Sequence, residues 1–60
     1  MYAQITHEAF IALVGIDTKA DEVMERESFR DLVYYVCGVK VIHRYNYISG
    51  VSYHIMDINA

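Results

Sequence analysis

The stretch VKVIHRYNYISGVSYHIMDI, residues 39–58, decides how the rest of the chain is read. Odd positions from Val39 to Tyr47 carry Val39, Val41, His43, Tyr45 and Tyr47, while Lys40, Arg44 and Asn46 interleave with Ile42. Past Ile48-Ser49-Gly50, Val51, Tyr53 and Ile55 alternate with Ser52, His54 and Met56. Two period-two runs around a glycine-bearing tip are the pattern of an antiparallel β-hairpin. Loop length sets which residues share a face, because a slip of one residue turns a strand over. A two-residue loop of Ser49 and Gly50 pairs Tyr45 with His54 and sets Tyr53 and Ile55 beside Asn46 and Arg44. A three-residue loop, Ile48-Ser49-Gly50, pairs Tyr47 with Val51, Tyr45 with Tyr53 and His43 with Ile55. It also puts Gly50 at the left-handed position of a type I turn with a G1 bulge. That register predicts a core face of Val41, His43, Tyr45, Tyr47, Val51, Tyr53 and Ile55, with Lys40, Ile42, Arg44, Asn46, Ser52, His54, Met56 and Ile58 outside.

Upstream of the hairpin the sequence reads as helical. Met1 to Ile5 is a short strand or a lead-in. Thr6 is an N-cap with Glu8 in the first turn, and Gly15 closes a helix over residues 6–14. The uninterrupted apolar run Ala9-Phe10-Ile11-Ala12-Leu13-Val14 predicts a helix buried on more than one side. Residues 18–37, ending at Gly38, read as one helix or as two broken near Glu27, since Ala20, Val23 and Met24 form one stripe and Phe29, Leu32, Val33 and Val36 another. Ser28 with Asp31 resembles a capping box at that break. The expectation is a single α+β domain over residues 1–60, two or three helices followed by a C-terminal antiparallel hairpin. A lone hairpin is marginal in water, so a homodimer is expected to complete the sheet.

The totals support association. A chain of 60 residues buries only about 60% of the surface its unfolded form exposes, and small scaffolds draw added stability from disulfides, metals or partners. Cys37 is the only cysteine, so no internal disulfide forms. Hydrophobic residues make up 55% of the chain, rich for so small an interior. No apolar run approaches the roughly 20 residues of a membrane span, and the N-terminus lacks the plan of a signal peptide. With one free thiol, the reading is cytoplasmic. A formal charge of −3 argues against general nucleic-acid affinity.

The residues show no reactive set. In the hairpin register above His43 and His54 fall on opposite faces, and Cys37, His43 and Asp57 lack the ligand spacing of zinc motifs, so neither metal nor cofactor is expected. Cys37, at a helix C-terminus in this reading, is a buried structural thiol rather than a nucleophile. No nucleophile–base order or phosphate loop is present, and the chain is read as a non-enzyme.

The remaining signals concern surfaces. Asp17, Asp21 and Glu25 would form one i, i+4 row of a helix, about 6 Å apart, able to imitate nucleic acid in a basic groove. Tyrosines are numerous, six in all, and tyrosine is a residue of protein interfaces. The expected function is a small interaction module, an inhibitor or adaptor occupying a surface of a larger partner. Phe10, Tyr45, Tyr47 and Tyr53 would anchor it, Arg44 would orient it, and Asp17, Asp21 and Glu25 would supply an acidic face. The alternative is a nucleic-acid binder using Lys40, Arg44, Tyr45, Tyr47 and Tyr53.

Overall fold

The run Phe29-Arg-Asp-Leu-Val-Tyr-Tyr-Val36 is dominated by β-branched and aromatic residues, and it extends instead of coiling. The computed structural model describes residues 1–58. In chain order its elements are β1 (Tyr2–Ile5), α1 (His7–Val14), β2 (Glu22–Glu25), β3 (Phe29–Val36), β4 (Val39–Asn46) and β5 (Ser52–Asp57). All strands join one antiparallel sheet in the order β1-β5-β4-β3-β2. The fold is therefore sheet-dominated with one short helix, and the expected α+β plan of two or three helices before a hairpin is wrong. The expected second helix is a hairpin. Its break near Glu27 is the β2–β3 turn, closed by the Arg26 amide donating to the Phe29 carbonyl at 2.8 Å.

Gly38, expected to end that helix, instead shares a two-residue turn with Cys37. Both take positive φ, 51° and 80°, the type I′ geometry that matches strand twist. Val36 then faces Val39, and β3 and β4 pair along their whole length. Cys37 lies exposed in this turn and is not a buried structural thiol.

The sheet is completed within one chain. The C-terminal hairpin has β3 on one side and β1 on the other, so the need for a second copy to supply strands disappears. The short helix follows its sequence signals closely. Thr6 accepts from the Ala9 amide at 3.0 Å, and the Gly15 amide donates to the Ile11 carbonyl at 2.8 Å, although Gly15 at φ 92°, ψ 170° is not left-handed helical.

The hairpin register differs by one residue from the expected one. Tyr45 faces Ser52, Arg44 faces Tyr53, His43 faces His54 and Ile42 faces Ile55. The loop has four residues, Tyr47 to Gly50, with the Asn46 amide donating to the Val51 carbonyl at 3.0 Å. Asn46 sets that length, its side-chain oxygen accepting from the Ile48 and Ser49 amides at 2.9 and 3.1 Å. The expected register assumed one apolar face, whereas both faces of this sheet carry apolar residues.

Helix α1 covers one face. There Phe10, Tyr34 and Val41 form the buried core, flanked by Ile5, Ile11, Val14, Ala20, Leu32, Val36 and Met56. The other face carries Phe29, Asp31, Val33, Tyr35, Lys40, Ile42, Arg44, Tyr53 and Ile55, by the alternation of each strand. Among the described residues no helix lies over this second face. None is long and apolar enough to cross a membrane.

Candidate functional site

Successive rows of residues across the strands build the open face. The row Val33, Ile42 and Ile55 forms an apolar floor, and Val33 and Ile42 are 0% and 4% exposed although no element among the described residues covers them. The next row toward the loop end is Met24, Asp31, Arg44 and Tyr53. On the other side of the floor lies Lys40, opposite Tyr35. Together with Tyr2, Arg26 and Phe29, these rows outline a groove of about 360 Å³, within the range of small-ligand sites.

A fixed ion pair stands at its centre. Arg44 donates from Nε to Asp31 Oδ1 at 2.7 Å and from its Nη2 to Oδ2 at 2.8 Å, a two-point contact. Its guanidinium carbon lies 4.3 Å from the centre of the Phe29 ring, a stacked cation–π contact. The bond to Asp31 chiefly holds Arg44 above its ordinary range, against the opposing effect of burial. Asp31 is only 4% exposed, so the pair is fixed on its acidic side and open on its basic side. Lys40 is likewise raised, chiefly by the adjacent Tyr2, and stays charged at neutral pH.

The covered face carries a second cluster. His43 and His54 pair directly across β4 and β5 with ring centres 4.6 Å apart. Phe10 lies 4.3 Å and His7 5.3 Å from His54. The slip in register is what brings His43 and His54 to one face, against the expectation that they stay apart. Their Nε2 atoms are buried without a partner. Burial pushes both below the usual imidazole range, and neighbouring histidines add to it. Among the described residues, no group of three or more His, Cys, Asp or Glu side chains is arranged to hold a metal.

The expected site residues separate. Phe10 is 6% exposed and belongs to the core, so it cannot anchor a partner. Arg44 and Tyr53 share the open face, while Tyr45 and Tyr47 lie on the covered face beyond the helix, their rings 5.6 Å apart beside a hollow that Arg30, Leu32, His43 and Ser52 also line. The acidic row does not exist. Asp17 sits in the turn after α1 with φ 61°, the Asp21 carboxylate accepts from the Tyr35 amide at 2.8 Å, and Glu25 accepts from the Tyr47 hydroxyl. That bond raises the Tyr47 phenol, as the Glu22 bond raises Tyr35.

Sequence reasoning missed Asp31 as the organiser of the site, reading it as a helix-capping acid. The available signal was an acid in the middle of an apolar run, which demands a buried cation partner. Arg44 and Lys40 are the only cations within the hairpin that follows. In comparison with known proteins the chain matches no family model, no curated protein and no solved structure.

Proposed function

We propose that this protein is a non-enzymatic interaction module that occupies a surface of a larger protein through its open sheet face. The observation that carries this reading is an open groove that holds an oriented, stacked arginine beside the partly exposed Ile55, over a closed floor of Val33 and Ile42. Exposed Tyr2 and Met24 flank the groove, adding apolar contact area at its edges. Aromatic residues, methionine and arginine are the types that dominate interface energetics. A nucleic-acid reading is weaker, since Lys40 and Arg44 lie on the face opposite Tyr45 and Tyr47, and one strand could not both stack on those rings and pair with those cations.

The test is capture of a partner from source-cell lysate by the immobilised protein, comparing two surface variants. Tyr2→Ser with Met24→Lys on the open face reduces recovery of a captured partner about tenfold or more. Leu13→Ser, at an exposed position of α1, leaves it unchanged. Loss with the helix variant and retention with the open-face variant would overturn the reading.

A further inference from the structure

We propose that the open-face groove takes an extended segment of the partner protein in which an apolar residue is flanked, two positions away on each side, by carboxylates. This rests on the docking reading above and specifies its occupant. The first support is where the charge lies. Arg26, Lys40 and Arg44, three of the chain's five lysines and arginines, line the groove, while Asp31 is the only one of its eight acids that does. On a chain of net charge −3, this is a local reversal of sign.

The acids sharing the face are already engaged. Asp31 is held by Arg44, Glu22 accepts from the Tyr35 hydroxyl at 2.9 Å, and Asp57 lies 3.7 Å from the N-terminal amine. The cations keep capacity to spare. A guanidinium has five N–H donors, and Asp31 engages only Nε and one Nη2 donor of Arg44. Neither Lys40 nor Arg26 is ion-paired among the described residues.

Spacing supplies the pattern. Lys40, Ile42 and Arg44 are successive positions of one strand on the open face, so the Cα atoms of the two basic residues are about 13 Å apart with Ile42 between them. An extended segment laid along β4 repeats at the same rise. Its residues i, i+2 and i+4 face the sheet, and carboxylates at i and i+4 reach the two cations while the residue at i+2 rests on the partly exposed Ile55, beside the buried Ile42. The strands flanking β4 are both paired, so the segment lies on the face and does not extend the ladder. The groove is open along its length, which suits a peptide better than a free fatty acid, whose chain needs an enclosing cavity.

The test is an amide NMR titration of the intact protein with acetyl-Glu-Ala-Leu-Ala-Glu-amide, its Gln-for-Glu counterpart and decanoate, with solution mass followed by sedimentation. The expected result is saturable shifts at Val33, Ile42 and Ile55 and binding of the Glu peptide about fivefold tighter than the Gln peptide, since each exposed ion pair contributes modestly. Lys40→Gln, a surface change, cuts that preference to about twofold. Equal binding of the two peptides, or no saturable shifts, overturns the proposal. Tighter binding of decanoate reassigns the groove to a lipid-like acid, and a doubled mass with the same shifts reassigns it to a second copy; either also overturns it. If partner capture depends on Tyr2 and Met24 while the peptides fail, the docking reading survives and only the acidic occupant falls. If capture ignores the open face, the docking reading itself falls.

Discussion

The two faces of this sheet exclude water by different means. The covered face uses a layer: α1 lies across it, and Phe10 meets Tyr34 edge-on at 5.4 Å and stacks on His54. Among the described residues the open face has no layer, yet Val33 is fully buried. The rows on either side of it carry long side chains, Arg44 and Tyr53 in one and Tyr35 and Lys40 in the other, whose stems and rings can shield it. Polar groups follow the same division. Under the helix, two imidazole nitrogens are buried without a partner, which a neutral ring tolerates at modest cost. On the open face the buried carboxylate of Asp31 is matched by two charge-assisted bonds, because an unmatched buried charge costs far more than an unmatched neutral atom. A sheet with one helix can thus keep its second face available, provided the charge within it is fixed.

Truncation at the core of each face breaks the comparison most directly. Phe10→Ala removes the ring that ties α1 to the sheet and should lower unfolding free energy by about 3–5 kcal/mol in urea denaturation. Such a loss is a large share of the stability of a chain this small, and the variant is expected to be partly unfolded. An effect below about 1 kcal/mol would show that the helix adds little to the covered face.

On the open face, Asp31→Asn leaves Arg44 without its acid and should cost about 2 kcal/mol, less than a fully enclosed pair because the Arg44 side chain remains 28% exposed. The double change Asp31→Leu with Arg44→Met should recover most of that loss, since a buried pair replaced by apolar residues is often near neutral. Recovery of stability with loss of partner capture would show that the pair serves recognition. Failure to recover would show that it holds the sheet together.

How far the sequence told these faces apart depends on the element. Thr6, Glu8 and Gly15 are local signals, and the helix they bracket is present over His7–Val14. The same logic failed at residues 18–37. There the stripe Phe29, Leu32, Val33, Val36 fits helical spacing, while the β-branched and aromatic content that makes Phe29–Val36 a strand carried too little weight. Cys37-Gly38 was a hairpin turn between two apolar runs, concealed because Gly38 equally suits the end of a helix. The tip register turned on Asn46, whose side chain caps the four-residue loop, a contact that alternation alone cannot reveal. Of the candidate site, Arg44 and Tyr53 were assigned to opposite faces of the hairpin, and only the true register sets them directly across from each other on one face.

The histidines allow the comparison to be sharpened without changing size or shape much. His43 and His54 both titrate below the ordinary value of 6.5. Burial is the main cause for each. Then, for His43, come His7 on α1 and Arg30 on β3; for His54, they are His43 on β4 and His7. A base whose folded pKa is depressed binds fewer protons folded than unfolded, so stability is full above the unfolded value and declines as pH falls below about 6.5. The urea midpoint should therefore drop between about pH 7.5 and pH 5.5, a window above the range where ordinary carboxylates titrate. His43→Gln with His54→Gln should flatten that drop, although the variant will be less stable throughout. Lys40→Gln, on the open face, should leave the slope unchanged. A slope that persists without the two imidazoles would place the titrating groups elsewhere and remove the covered face as the acid-sensitive side of the sheet.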